Sequence, residues 1–149
     1  FDFNSRFYAD DDLIVGAADP YQLFRIMFEV IRGGGLDKNS EVAFMLDQGH
    51  NIEAKIPAQI RSVITVQEMT ARALLIDRAA LTEAQLTGDV MAANDIFMDA
   101  YQKDIRSEVA SWRASNGLPE DPMAAYRASG YAEQIAEDRK GGEQAGWGA

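Results

Sequence analysis

The spacing of apolar residues changes along the chain, and the change divides it into two parts. Phe1 and Phe3 alternate with Asp2 and Asn4, the two-residue period of a strand with one face inward. Ser5 to Ala18 reads as a loop, with Leu13-Ile14-Val15 as its apolar anchor. Asp19-Pro20 pairs an N-cap aspartate with a proline at the first helical position. Leu23, Ile26, Met27, Val30 and Ile31 then recur at helical steps until Gly33. Gly33-Gly34-Gly35 through Ser40 reads as a flexible connection, and Glu41 to Leu46 as a buried strand with Asp47 at its C-terminal end.

From Pro57 onward the period is helical. Ile60, Val63, Ile64, Gln67, Ala71, Leu74 and Leu75 mark one face of a long helix ending near Arg78. Thr82 and Gln85 have capping-box spacing for a short helix that stops at Gly88. Asp89 starts a long helix whose apolar face carries Met91, Met98, Tyr101, Ile105, Val109 and Trp112. Gly117-Leu118-Pro119 breaks it, and Asp121-Pro122 opens a last helix reaching Lys140. The expected organisation is residues 1–80 as two βα units and 81–149 as a helical extension with a flexible tail at 141–149. Strand, helix, strand, helix is the order of a parallel sheet with helices packed outside it. The fold class expected is α/β. Two such units fall far short of a (β/α)8 barrel, which takes about 250 residues. A chain that opens inside a strand is expected to be a piece of a larger protein.

Charge narrows the partners. A net charge of −10 over 149 residues disfavours nucleic acid and anionic membrane surfaces, which want a basic face. The absence of cysteine excludes disulfides and thiolate metal sites. No apolar run approaches the roughly 18 residues of a membrane span. A cytoplasmic location is expected.

The candidate chemistry is acidic. Asp10-Asp11-Asp12 sets carboxylates in a row, and like charges so close need water, a helix N-terminus or a cation. Asp10 and Asp12, at i and i+2, read either as half of a divalent-metal site or as a solvated acidic loop. The EF-hand pattern is absent, and an all-oxygen donor set favours Mg²⁺ or Mn²⁺ over Zn²⁺. Asp2 and Asp47 sit on or beside strands, where a carboxylate wants a partner. His50, the only histidine, reads as a loop residue, a positioning neighbour of a metal ligand or a contact to sugar hydroxyls. Gly33-Gly34-Gly35 follows a helix instead of opening one, so it offers no helix N-terminus to a phosphate.

Three segments together carry a resemblance. Phe1-Asp2-Phe3-Asn4-Ser5-Arg6-Phe7-Tyr8-Ala9-Asp10-Asp11-Asp12-Leu13, Asp19-Pro20-Tyr21-Gln22-Leu23-Phe24 and Phe44-Met45-Leu46-Asp47-Gln48-Gly49-His50-Asn51 resemble the C-terminal third of L-rhamnose isomerase, of the bacterial broad-specificity type in the xylose-isomerase-like barrel group. The resemblance implies the last two βα units of the barrel and a helical C-terminal arm. It implies an aldose–ketose isomerase of rhamnose catabolism, interconverting L-rhamnose and L-rhamnulose with two divalent cations per active site, typically Mn²⁺ and otherwise Co²⁺ or Mg²⁺. It also implies a homotetramer. Asp10 and Asp12 look like ligands of the catalytic metal, and Asp47 looks like a ligand of the structural, substrate-binding metal. Asp2 stands where the rhamnose isomerases have a histidine ligand, though xylose isomerase has aspartate at the corresponding place. Gly49 stands where related chains have a larger residue. A fragment of this kind is expected to be inactive alone. A non-catalytic helical oligomerisation module and a related sugar epimerase are the competing readings.

Overall fold

The computed structural model describes residues 1–6, 13–47 and 54–140. Two short parallel strands, β1 (Asp2–Phe3) and β2 (Met45–Leu46), are joined through α1 (Pro20–Arg32). Six helices follow: α2 (Lys55–Leu74), α3 (Arg78–Thr87), α4 (Val90–Gln102), α5 (Arg106–Ser115), α6 (Pro122–Ala128) and α7 (Tyr131–Lys140). The described chain is therefore mostly helical. The expected parallel pairing is present, while a barrel is not formed by these two strands. Among the described residues, no helix is long and apolar enough to cross a membrane. The tail at 141–149 lies outside the described residues.

Helix α1 organises the core. Asp19 accepts a hydrogen bond from the Gln22 amide at 3.0 Å, and Pro20 fixes the first turn. The helix buries Leu23, Phe24, Met27, Phe28, Val30 and Ile31, with Phe24 at 0% and Met27 at 1% relative exposure. Ile26, expected on that face, is exposed. Phe28 meets Phe97 of α4 edge-to-face at 5.1 Å, and Tyr21 meets Tyr101 at 5.1 Å in the same way. Such T-shaped pairs add about 0.5–1.5 kcal/mol each to area burial. One core cluster runs from Phe3 of β1 through α1 and α2 to Leu81 of α3 and Ala100 of α4.

The buried stripe of α2 is Ala58, Ser62, Met69 and Ala73. The larger apolar residues proposed for that face are half-buried or exposed, with Leu74 at 59% and Leu75 at 50%. The correction has a steric cause. Small residues let α1 and the loop after β1 approach the helix axis, and the fully buried Ser62 hydroxyl accepts a hydrogen bond from the Val15 amide at 3.1 Å. The helix also ends at Leu74, before Asp77 caps α3 through the Ala79 and Ala80 amides at 3.0 and 2.9 Å. This cap replaces the box expected at Thr82, whose hydroxyl instead donates to the Arg78 carbonyl at 2.7 Å.

Four further expectations are corrected. The segment from Gly33 to Ser40 is a series of hydrogen-bonded turns, with the Gly35 amide on the Val30 carbonyl at 2.8 Å. β2 is shorter than Glu41–Leu46 and one of its faces is open, with Met45 56% exposed. The long helix expected after Asp89 is two helices. Between them Arg72 Nε donates to the Lys103 carbonyl at 3.0 Å, which fixes the break without glycine or proline. The last helix is likewise split at Gly130, which has φ +67°. Arg113, 7% exposed, donates to Gln67 Oε1 and to the Pro119 carbonyl, tying α5 and the following turn to α2.

Two predictions concern this framework. A Cβ on Gly35 would lie 2.4 Å from Val30 Cγ1 and 2.9 Å from the Val30 carbonyl oxygen, whereas one on Gly88 meets nothing within 4 Å but sits at φ +73°. Urea unfolding should show Gly35→Ala losing about 1–3 kcal/mol through overpacking. Gly88→Ala should lose about 1–2 kcal/mol from conformation alone. At the α4–α5 break, a hydrogen bond from the Arg106 guanidinium, and then one from the Arg106 amide, holds the Asp104 carboxyl well below the usual aspartate range. A carboxyl so depressed stabilises the fold above the ordinary aspartate value, and the contribution fades as pH falls toward the folded value. The stability gap between the parent and Asp104→Asn should therefore narrow as pH is lowered below about 4.

Candidate functional site at the strand ends

Register decides which side chains share a face. Asp2 pairs with Met45 and Phe3 with Leu46, so one face of the pair carries Phe1, Phe3, Phe44 and Leu46. The rings of Phe1, Phe3 and Phe44 lie 5.7–6.1 Å apart, and Phe3 joins the core with α1. Alternation puts Asp2, Asn4, Met45 and Asp47 on the opposite face, away from the helices. Asp2, Met45 and Asp47 are exposed there, and Asn4 is half-buried. The Asp47 amide donates to the Phe3 carbonyl at 3.1 Å, which continues the ladder one residue beyond β2 and fixes Asp47 at its C-terminal end.

The loop after β1 is pinned where it leaves and returns. Ser5 and Leu13 form an antiparallel bridge, with amide-to-carbonyl distances of 3.1 and 2.8 Å. Leu13 and Val15 are buried, and Gly16 at φ +80° passes so close to α2 that a Cβ there would lie 2.8 Å from Thr65 Cγ2. After β2, Gln59 Nε2 of α2 donates to the Leu46 carbonyl at 3.0 Å. These contacts hold the C-terminal ends of both strands against α2.

Of the sequence-predicted site residues, Asp2 and Asp47 are brought to one exposed face of adjacent strands. Asp10, Asp12 and His50, with Asp11 and Gly49, lie outside the described residues. Among the described residues, no three acidic or histidine side chains gather in a metal-binding group. Two carboxylates are hard oxygen donors and suit a divalent cation of the Mg²⁺ or Mn²⁺ kind, but two donors are an incomplete shell. The sequence reading passed over Asn4, which shares the face with both aspartates; the two-residue period that set Asp2 there also carried Asn4. It also missed Gln59, for which the sequence gives no signal, because its partner is a strand carbonyl.

Comparison with known proteins adds a second line of observation. No known family model matches the chain. It is homologous to a "Probable sugar isomerase" of Mesorhizobium japonicum, with 38% identity over 141 residues. It is likewise homologous to a "Probable sugar isomerase" of Rhizobium meliloti, with 37% identity over 140 residues. Each alignment takes in 93% of this chain and 33% of the relative. The chain thus spans about a third of the length of the curated relatives it matches.

Because Asp2 and Asp47 are exposed and lie on the face away from the core, neither should be needed for folding. Asp2→Asn and Asp47→Asn should each unfold within about 0.5 kcal/mol of the parent in urea. A loss of several kcal/mol would instead give these carboxylates a structural role.

Proposed function

We propose that the chain is part of a metal-dependent aldose–ketose isomerase that interconverts L-rhamnose and L-rhamnulose. The observation that carries the sugar-isomerase reading is the 37–38% identity to two probable sugar isomerases over nearly the whole chain. The finer assignment to L-rhamnose rests on the motif resemblance, above all Phe44-Met45-Leu46-Asp47-Gln48-Gly49-His50-Asn51 with the Asp10-Asp11-Asp12 loop. The parallel strands support the reading as well, since in parallel α/β folds ligands gather at the C-terminal ends of strands.

In this proposal Asp10, Asp12 and Asp47 act at the reacting end of the sugar, and Asp2 joins them in holding two divalent cations, typically Mn²⁺. His50 lies beside a ligand or meets a substrate hydroxyl. When bound, the cations supply Lewis acidity for the carbonyl and the neighbouring hydroxyl of the open-chain sugar. The carboxylates fix the positions of those charges and neutralise them. Asp2 and Asp47 come from adjacent strands, so their separation is set by the ladder and not by a mobile loop. Met45, between them on the same face, offers an apolar surface against which sugar carbons can rest. The complete enzyme works as a homo-oligomer, a tetramer by the resemblance, and the remaining ligands come from the rest of the complete protein.

The test is an activity assay on the complete protein with L-rhamnose and Mn²⁺. Turnover to L-rhamnulose is expected, while the 149-residue chain alone should give none. Asp47→Asn should lower kcat by at least about a hundredfold, since a misplaced Lewis acid costs several kcal/mol of barrier. An inert complete protein, or an Asp47→Asn variant at full activity, would reject the reading. Conversion to a C2 or C3 epimer would point to an epimerase.

A further inference from the structure

A second feature lies between α1, α3 and α4, where the helices leave a groove of about 620 Å³. Its floor is apolar: Phe28 and Leu81 are buried beneath it, and Phe97 lines one wall. Its rim carries Arg25 and Arg32 of α1 and Arg78 of α3. Three arginines around one groove stand out on a chain of net charge −10. Glu29 answers only one of them, pairing with Arg32 at 2.5 Å. Among the described residues, no carboxylate forms an ion pair with Arg25 or Arg78.

Arg78 is also placed against its own helix. It opens α3, where the macrodipole is positive, and the first turn of α3 holds no acidic residue. A cation there is disfavoured unless an anion sits nearby, and the one at hand, the Asp77 carboxylate, is engaged by the Ala79 and Ala80 amides and forms no ion pair with Arg78. The free amides of that turn do not serve, because Ala79 and Ala80 already donate to Asp77. The guanidinium groups are left to do the recognition, and their forked donors match the oxygens of a carboxylate or phosphate. The volume falls in the range of small-molecule pockets, roughly 300–1,000 Å³, and is short for a protein segment.

We infer that the groove between α1, α3 and α4 binds a small organic anion. Its carboxylate or phosphate sits between Arg25 and Arg78, and its apolar body lies on Phe28 and Phe97. Arg32, tied to Glu29, closes the far end. The site does not depend on the sugar-isomerase reading, since none of its residues belongs to the strand ends.

Phenyl phosphate, benzoate, inorganic phosphate and benzyl alcohol test the inference by nuclear magnetic resonance on the isotope-labelled protein. Phenyl phosphate or benzoate should give saturable shifts at the side-chain signals of Arg25 and Arg78 and at Phe97. Whichever of the two binds more tightly identifies the anionic group. Inorganic phosphate should bind more weakly for want of the apolar body, and benzyl alcohol should not saturate. Losing a charge-assisted hydrogen bond is worth about tenfold or more in affinity, so Arg25→Gln with Arg78→Gln should weaken binding by at least about that factor. Both side chains are exposed, so the variant should keep the parent's circular dichroism and its Phe97 signals in the free state. The inference is overturned if neither aromatic anion gives saturable shifts. It is equally overturned if the double variant binds as tightly as the parent, or if benzyl alcohol binds as well as phenyl phosphate.

Discussion

The burial of α1 on several sides is the constraint on which the rest of the structure depends. Phe24 and Met27 are sealed off from water, and each full burial of such a side chain is worth about 1.5–3 kcal/mol. The same helix meets Phe3 of β1, the small-residue stripe of α2 and the aromatic residues of α4. Two-residue strands cannot stand alone in water. They persist here because their inner face, through Phe3 and Leu46, is packed on this helix-centred core. The outer face, with Asp2 and Asp47, is thereby held in a fixed register and left open.

The sequence was legible wherever a local signal decides the backbone. Asp19-Pro20, Gly33, Gly88, Asp89 and Asp121-Pro122 all mark the helix boundaries expected of them, because a capping carboxylate, or the left-handed glycine at Gly88, acts within a few residues, while Gly33 ends α1 at a φ of −80°. It was misleading where a tertiary contact decides. On α2, hydrophobicity favoured Ile60, Val63 and Leu74, but closeness of approach selected Ala58, Ser62 and Ala73. The break at Lys103 is held by Arg72 from 31 residues away, and nothing near it in sequence announces that partner.

The candidate sites follow the same division. Strand alternation alone puts Asp2 and Asp47 on faces that parallel pairing then brings together, so the shared face of these two aspartates could be read from the period. The cationic groove could not. Arg25 and Arg32 share a stripe of α1 at a spacing of seven, but Arg78 joins them only because α3 folds back beside α1. Charge is thus sorted on a chain that is acidic overall: carboxylates at the open strand face, guanidinium groups over an aromatic floor between the helices. The homology to probable sugar isomerases gives the first of these surfaces a chemical setting, and the second is proposed on its own geometry.

The central claim is that acids from separate parts of the chain share a divalent cation at the strand ends. Paramagnetic broadening by Mn²⁺, followed residue by residue in the isotope-labelled complete protein, tests it directly. The amide signals of Asp2 to Ser5 and Met45 to Asp47 should vanish first, at substoichiometric metal, while those of α3 and α4 remain sharp. Broadening spread evenly over the acidic helices, with the strand ends no more affected than the rest, would contradict the account.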